Sequence, residues 1–339
     1  MQKPIFLSIL LAGLCSASLL APARAQEHPT GPVLLVVNQG AKNLSVVNVA
    51  TGQQVATIAE GVTAVHGHEV ATSPNGRIAY VPIYGSTGVG KPGLNGHQML
   101  VIDIPTRKIV GRVDFGHGVR PHYPIYNRHD GMLYVTTELD KTVSIINPHT
   151  LKIVGSIPTG QEQSHMLAIS HDGRRGYTAN VGPGTVSVLD IPARKTLAII
   201  PISAETQRIS ISNDDSMAFT SDQKKPQLAV IDTATNKVKA WVPLPGLGYG
   251  TASTKDGRYL LVAVPAAAVV AVVDLHTLKV VRTMAVPKAP QEILVRPDGK
   301  VAYVSCNVKS QVAAIDLSQW KVQKLIDVGA GDDGLAWAR

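Results

Sequence analysis

Cysteine is nearly absent from this chain: 339 residues contain only Cys15 and Cys306. Cys15 lies in an apolar N-terminal run, so the rest of the chain has one cysteine and no internal disulfide. A chain of this length buries enough surface to fold without one. Aromatics make up 4 % of the residues, with three Trp and three Phe, too few for extensive sugar stacking. The interleaving of aromatic and basic side chains that single-stranded nucleic acid requires is missing. Beyond residue 25 no 3.6-residue apolar period appears, and no run is long and apolar enough to cross a bilayer. Close-spaced metal-ligand motifs are also lacking, and the single H-x-H pair is His66 and His68.

What charge there is is scattered. The formal net charge is +8, and setting aside Lys3 and Arg24 leaves +6. Apart from Arg174-Arg175 and Lys224-Lys225 the basic residues are dispersed, the pattern of a solvated surface rather than of a nucleic-acid patch. Lys3, the apolar stretch from Ile5 to Leu20 and Ala23-Arg24-Ala25 before Gln26 read as a secretory signal over residues 1–25. Leu14 stands where a lipoprotein signal needs a small residue before Cys15. The expectation is a periplasmic or secreted monomer with a short tail over 26–32.

Against this plain background stands a repeat. An aromatic or Leu recurs at Tyr80, Tyr134, Tyr177, Phe219, Leu261 and Tyr303. Asp or Asn recurs at Asn48, Asp103, Asn147, Asp190, Asp232, Asp274 and Asp316, and later members of both series stand 42 residues apart. Four short β-runs in a period of this length are the mark of a β-propeller. In the third repeat, Met132 to Thr137 is one strand and Thr142-Val143-Ser144-Ile145-Ile146 alternates polar and apolar as a half-buried strand does. Asn147-Pro148-His149-Thr150 turns, and Leu151 to Ile157 forms the outer strand. The run Val33 to Val37 matches a second strand and Gly334 to Ala338 an innermost one. Together they predict an all-β, seven-bladed propeller over 33–339, closed by pairing of the two ends in one blade.

Leu133-Tyr134-Val135-Thr136-Thr137, Thr142 to Asn147 and Arg296-Pro297-Asp298-Gly299 resemble the YVTN-type repeats of bacterial secreted propellers, the YncE-like family. The resemblance covers almost all of 33–339 and implies the fold. It also brings in a DNA-binding relative, which the missing aromatic–basic pattern does not support here. Propellers of this kind host many activities, so function has to be read from a site.

Seven internal copies can be compared. Aligned on the inner strand, the first residue is His68, His122, His165, Gln207, Tyr249, Gln291 and Asp333. All are polar, yet they differ from blade to blade, so blade building alone does not explain them. In a closed ring they converge on one mouth of the channel. Glu69, Arg208, Glu292 and Arg120 flank them, and His66, His97 and His117 belong to the same face. One repeat is about 12 residues longer, through a Gly-rich insertion at Tyr84 to His97 beside the ring, either a lid or a neutral surface loop. Gly85 to Lys91 has the spacing of a phosphate-binding loop, but Pro92 replaces the hydroxyl residue and a strand, not a helix, follows.

The leading expectation is a binding pole for a small molecule or protein partner, with His68, Glu69, Arg120, His122, His165, Gln207, Arg208, Tyr249, Gln291, Glu292 and Asp333 as ligand contacts. Two catalytic alternatives use the same pole. His68, His122 and His165 would hold Zn, Cu, Fe or Ni, since imidazole suits these ions. Without metal, His122 or His165 would act as base, Tyr249 as acid, and Arg120 or Arg208 as an anion clamp. Cys306 reads as a packed thiol, and His129, His149, His171 and His276 as solvent residues of the opposite face.

Overall fold

The computed structural model describes residues 31–339, so the expected leader and most of the 26–32 tail lie outside the described residues. Among those residues there is no helix, and hence none long and apolar enough to cross a membrane. Six four-stranded antiparallel sheets and one of five strands make seven blades. Blade 1 joins Val33–Asn38, Asn43–Asn48 and Gln53–Ala59 to Asp332–Ala338. Blades 2 to 7 follow in chain order, with inner strands beginning at His66, Pro121, Ser164, Thr206, Thr251 and Pro290. Val33 pairs with Ala338, Leu34 with Trp337 and Leu35 with Ala336, the predicted closure.

Burial follows position within the blade. Second strands such as Val33–Asn38 and Met217–Asp222 are buried throughout. Third strands such as Val269–Asp274 are buried except at their ends, and outer strands such as Lys237–Pro243 alternate. Neighbouring blades cover both faces of the middle strands, so these read as continuous apolar runs, whereas the outer strand keeps a wet side. The aromatic series is buried in the second strands: Tyr134, Tyr177 and Phe219 pack between blades.

The Asp/Asn series makes turns. In all seven blades the side chain at the end of the third strand accepts from the backbone N–H two or three residues on, as Asn48 does from Ala50, Asp103 from Thr106 and Asp316 from Ser318. The outer edges are blunted in a uniform way. Every third-to-outer pairing slips by one residue in mid-strand, and six of the seven outer strands start with Lys. A bulge and a lysine both discourage pairing with another chain.

The insertion is anchored in strand at both ends. Ile78–Gly85 and Asn95–Asp103 lengthen the two middle strands of blade 2, which leaves only 86–94 as a tip. Ser86 N–H donates to the Leu94 carbonyl at 3.0 Å, and Leu94 N–H to Ser86 Oγ at 2.8 Å.

Candidate functional site

The ring positions fall where the inner strands are irregular. Pairing slips between Ser164 and Met166 and between Pro290 and Ile293, across the ring residues His165 and Gln291, and between Gln207 and Ser210, across Arg208. Such bulges re-aim a side chain, here toward the axis. Arg120 and Arg208 sit in the left-handed region, at φ 51° and 60°. That costs a non-glycine residue on the order of 1 kcal/mol. The Thr220 hydroxyl donates to the Arg208 carbonyl at 2.7 Å and helps to hold the bend.

Blades 2 to 4 contribute a histidine half. The rings of His122 and His165 stack with centroids 3.6 Å apart, and His68 meets His122 edge-on at 5.3 Å. His122 Nδ1 lies 3.1 Å from the His165 carbonyl, which only accepts, so Nδ1 carries the proton. His165 Nδ1 lies 3.0 Å from Glu138 Oε2, and the Tyr84 hydroxyl donates to the same oxygen at 2.6 Å. Burial, reinforced by neighbouring positive groups, pushes His68 and His122 well below the usual imidazole range, so both are neutral. Burial opposes ionisation of Glu138, but the hydrogen bonds from His165 and Tyr84 outweigh it and hold its carboxyl below the ordinary value. His68 Nε2 and His66 Nδ1 are buried without a partner among the described residues.

The remaining blades, together with Glu69 of blade 2, contribute an arginine half. Arg208 Nη1 donates to Glu69 Oε1 at 2.5 Å and to Glu292 Oε2 at 2.6 Å, and Nη2 donates to Asp333 Oδ1 at 2.8 Å. Its guanidinium lies over the Tyr249 ring, 4.8 Å from the centroid, and burial pushes the Tyr249 hydroxyl up to about 12. Burial raises Glu69 and Glu292 above the carboxylate range, against the pull of Arg208. The Arg208 Nη1 contacts therefore hold two proton-binding groups against a fixed cation.

The structure thus brings the expected ring together, but as interlocked side chains rather than as an open mouth. His68, His122, His165, Gln207, Arg208, Glu69 and Asp333 are all buried, while Tyr249, Gln291 and Glu292 are partly so. His97 and His117 stay on the exposed rim, paired with Asp114 and Asp140. Arg120 is buried and grips the insertion: Nε donates to Asn95 Oδ1 at 2.7 Å and Nη2 to the Lys91 carbonyl at 2.8 Å. On the opposite face, His171 is exposed and bound to Asp215. The Cys306 thiol is buried and pushed up to about 12 by burial, as a packed thiol should be.

Tyr84 and Glu138 are the site residues that the ring alignment passes over. A second alignment finds them. Four residues after the recurrent aromatic or Leu, and after Leu35 at the matching place in blade 1, stand Gln39, Tyr84, Glu138, Val181, Gln223, Pro265 and Asn307. Several of these reach the ring: Gln39 donates to Asp333, Asn307 to the Asp332 carbonyl, and Tyr84 and Glu138 join His165.

Among the described residues no group of three or more His, Cys, Asp or Glu side chains is arranged to hold a metal ion. The geometry of His122 and His165 gives the reason. Rings stacked at an interplanar angle of 27°, with centroids 3.6 Å apart, hold their in-plane lone pairs in separate, nearly parallel planes. A metal needs those lone pairs to meet about 2 Å from each nitrogen.

Open space at this pole lies under the insertion. A groove of about 550 Å³ runs between the tip and blades 3 and 4, lined by Lys91, Asn95, Arg120, Glu138, Lys141 and Gln163 among others. Lys141 pairs with Glu162 at its rim. Lys91 makes no ion pair among the described residues, so the groove carries uncompensated positive charge.

Known proteins resemble this architecture. No curated protein matches the sequence. In all, 1642 chains of solved structures match the fold, which is therefore too common to indicate an activity. Hydrazine synthase of Kuenenia stuttgartiensis matches with a TM-score of 0.67 and 18 % identity, over 81 % of this chain and 90 % of that one. The dihydro-heme d1 dehydrogenase NirN, in complex with DHE, matches with a TM-score of 0.65 and 14 % identity, over 93 % and 77 %. At such identities the likeness is one of fold alone. The family model for YNCE-like beta-propellers matches residues 246–338, so blades 6 and 7 and the strand that closes blade 1 of this seven-bladed chain are similar to that family.

Proposed function

We propose that the protein is a secreted, periplasmic, monomeric propeller that binds a small anionic molecule at its His-rich pole, in the groove beneath the insertion. One observation carries this reading: Arg120 clamps the insertion over a groove that Lys91 leaves positively charged. Anchoring makes the tip a preformed wall rather than a free loop, which lowers the cost of ordering it around a ligand. Lys3, the apolar run to Leu20 and Ala23-Arg24-Ala25 support export. That NirN is solved in complex with DHE is a precedent for a small molecule on a related fold.

The probes are citrate and inorganic phosphate, titrated calorimetrically and mapped by amide hydrogen exchange. Saturable binding with protection at 86–94, lost in Lys91→Ala and kept in the opposite-face control His171→Ala, supports the groove. Protection elsewhere, or equal binding by both variants, rules it out.

A second reading rests on the bond between His165 and Glu138. An ionised Glu138 fixes the His165 proton on Nδ1 and leaves Nε2 as an acceptor, the arrangement of an oriented general base. A protein ligand at the exposed rim remains an outcome of the same mapping. The metal reading of His68, His122 and His165 is tested by titrating metal-free protein with Zn and Cu. Stoichiometric uptake that His122→Ala abolishes is its signature.

A further inference from the structure

The polar ring has a second side, facing the channel. A cavity of about 260 Å³ is closed at one end by Arg208 and Glu292 and walled by Ile125, Ile211, Leu294 and Leu335. A second space of about 410 Å³ shares Tyr123, Ile125, Leu294 and Leu335 and extends to Arg128 and Arg339. The channel is therefore continuous toward the face that carries the inner-strand turns. A dry cavity of about 150 Å³ already accepts benzene, so there is room for a small organic molecule.

Charge decides which kind. Arg208 is the only cation bonded to Glu69, Glu292 and Asp333 among the described residues, so three carboxyls share one guanidinium. Excess negative charge in a buried site is costly unless something positive joins it. Glu292 is the most accessible of the three, with 14 % of its side chain exposed, and it lines the cavity. Only its Oε2 is bonded, to Arg208; Oε1 has no partner among the described residues.

We propose that the channel binds a small amphipathic organic cation, an alkylammonium, with its ammonium on Glu292 and its apolar part along Ile125, Ile211, Leu294 and Leu335. Until such a cation arrives, protons occupy the excess carboxyls, in keeping with the raised Glu69 and Glu292. An anion of the same shape brings a further negative charge to Glu292, and a neutral molecule brings none to replace the protons that the carboxyls hold. This site is separate from the groove under the insertion, and neither depends on the other.

The test uses the whole protein and three probes of one shape: hexylammonium, hexanol and hexanoate, followed by calorimetry and thermal midpoint. Hexylammonium should bind saturably at one site and raise the midpoint, and the other two should not. Glu292→Gln should weaken it about tenfold or more, the scale of a lost charged hydrogen bond. Ile211→Trp, which fills the channel without touching the carboxyls, should abolish it, while Lys91→Ala should not change it. Binding should also strengthen as the pH rises above the ordinary carboxylate range, as Glu69 and Glu292, which face Arg208, Tyr123 and Tyr249, lose protons while the amine keeps its own. Hexanol or hexanoate binding as well as hexylammonium, or unchanged affinity in both channel variants, overturns the proposal. Loss of groove binding in Lys91→Ala alone leaves it standing.

Discussion

Arg208 Nη1 stands 2.5 Å from Oε1 of Glu69, a residue 139 positions earlier and three blades around the ring. A guanidinium from blade 5 thus crosses the axis to blade 2, and its other bonds reach blades 7 and 1. One side chain ties four blades together across the axis, beside the single backbone bond from Gly334 N–H to the His68 carbonyl that joins blades 1 and 2 there.

Arg208→Gln should therefore be among the most damaging single substitutions. It strands three carboxyls in a buried site, and breaking a buried ion pair from one side costs about 3–5 kcal/mol. Urea unfolding should show the full loss at an alkaline pH and a smaller one at an acidic pH, where Glu69 and Glu292, raised by burial, take up protons. Equal losses at both pH values would mean that the carboxyls are not what Arg208 holds.

Glu60 and Asp332 are buried carboxyls that burial pushes up to about 7 from ordinary values of 4.5 and 3.8. A raised carboxyl binds more protons folded than unfolded. Its contribution is complete below the ordinary value and is lost as the pH rises through about 7. Stability should fall between about pH 5 and pH 8, by roughly 3 kcal/mol through Glu60 alone. Glu60→Gln, which can still accept from Gly67 N–H, should flatten that slope. Glu138 is lowered instead, and its contribution disappears only in more acidic solution, so the two windows separate.

Gly334 is needed for contact between blades 1 and 2. A Cβ there would lie 2.6 Å from both Glu69 Cα and the His68 carbonyl oxygen. Gly334→Ala should cost about 2–3 kcal/mol by overpacking. Gly88→Ala meets nothing within 4 Å and should be neutral in the same denaturation assay.

Tyr84→Phe removes one of the two hydrogen bonds on Glu138 Oε2 and leaves His165 as its partner. A loss of about 1–2 kcal/mol is expected, with the tip at 86–94 unchanged in hydrogen exchange. Arg120→Gln should do the converse at the tip, speeding exchange of Ser86 and Leu94.

The fold was legible because each repeated residue has a local task. Asp103 or Asn147 makes a turn with its own next residues, and Tyr134 fills the gap between two blades, so a period suffices to read them. The ring positions were legible for the opposite reason, since His68 to Asp333 vary where the blade places no demand. What a single aligned column could not show was burial. His122 and Arg208 look like mouth residues in sequence, but bulges and left-handed residues turn them inward, and neither leaves a mark in composition. Glu138 reads as a polar turn residue until its column is compared across the blades. The charge excess around Arg208 depends on side chains meeting across the axis, which no repeat predicts.

Closure also sets an order of events during synthesis. Val33–Asn38 emerges first, but its inner partner, Asp332–Ala338, follows only after the six other blades. That late strand carries Asp333, the third carboxyl on Arg208. Blade 1 and the carboxyl cluster are therefore finished in the same step, and a nascent chain holds neither. Whatever the channel binds, it has no complete binding site until the molecule is a ring.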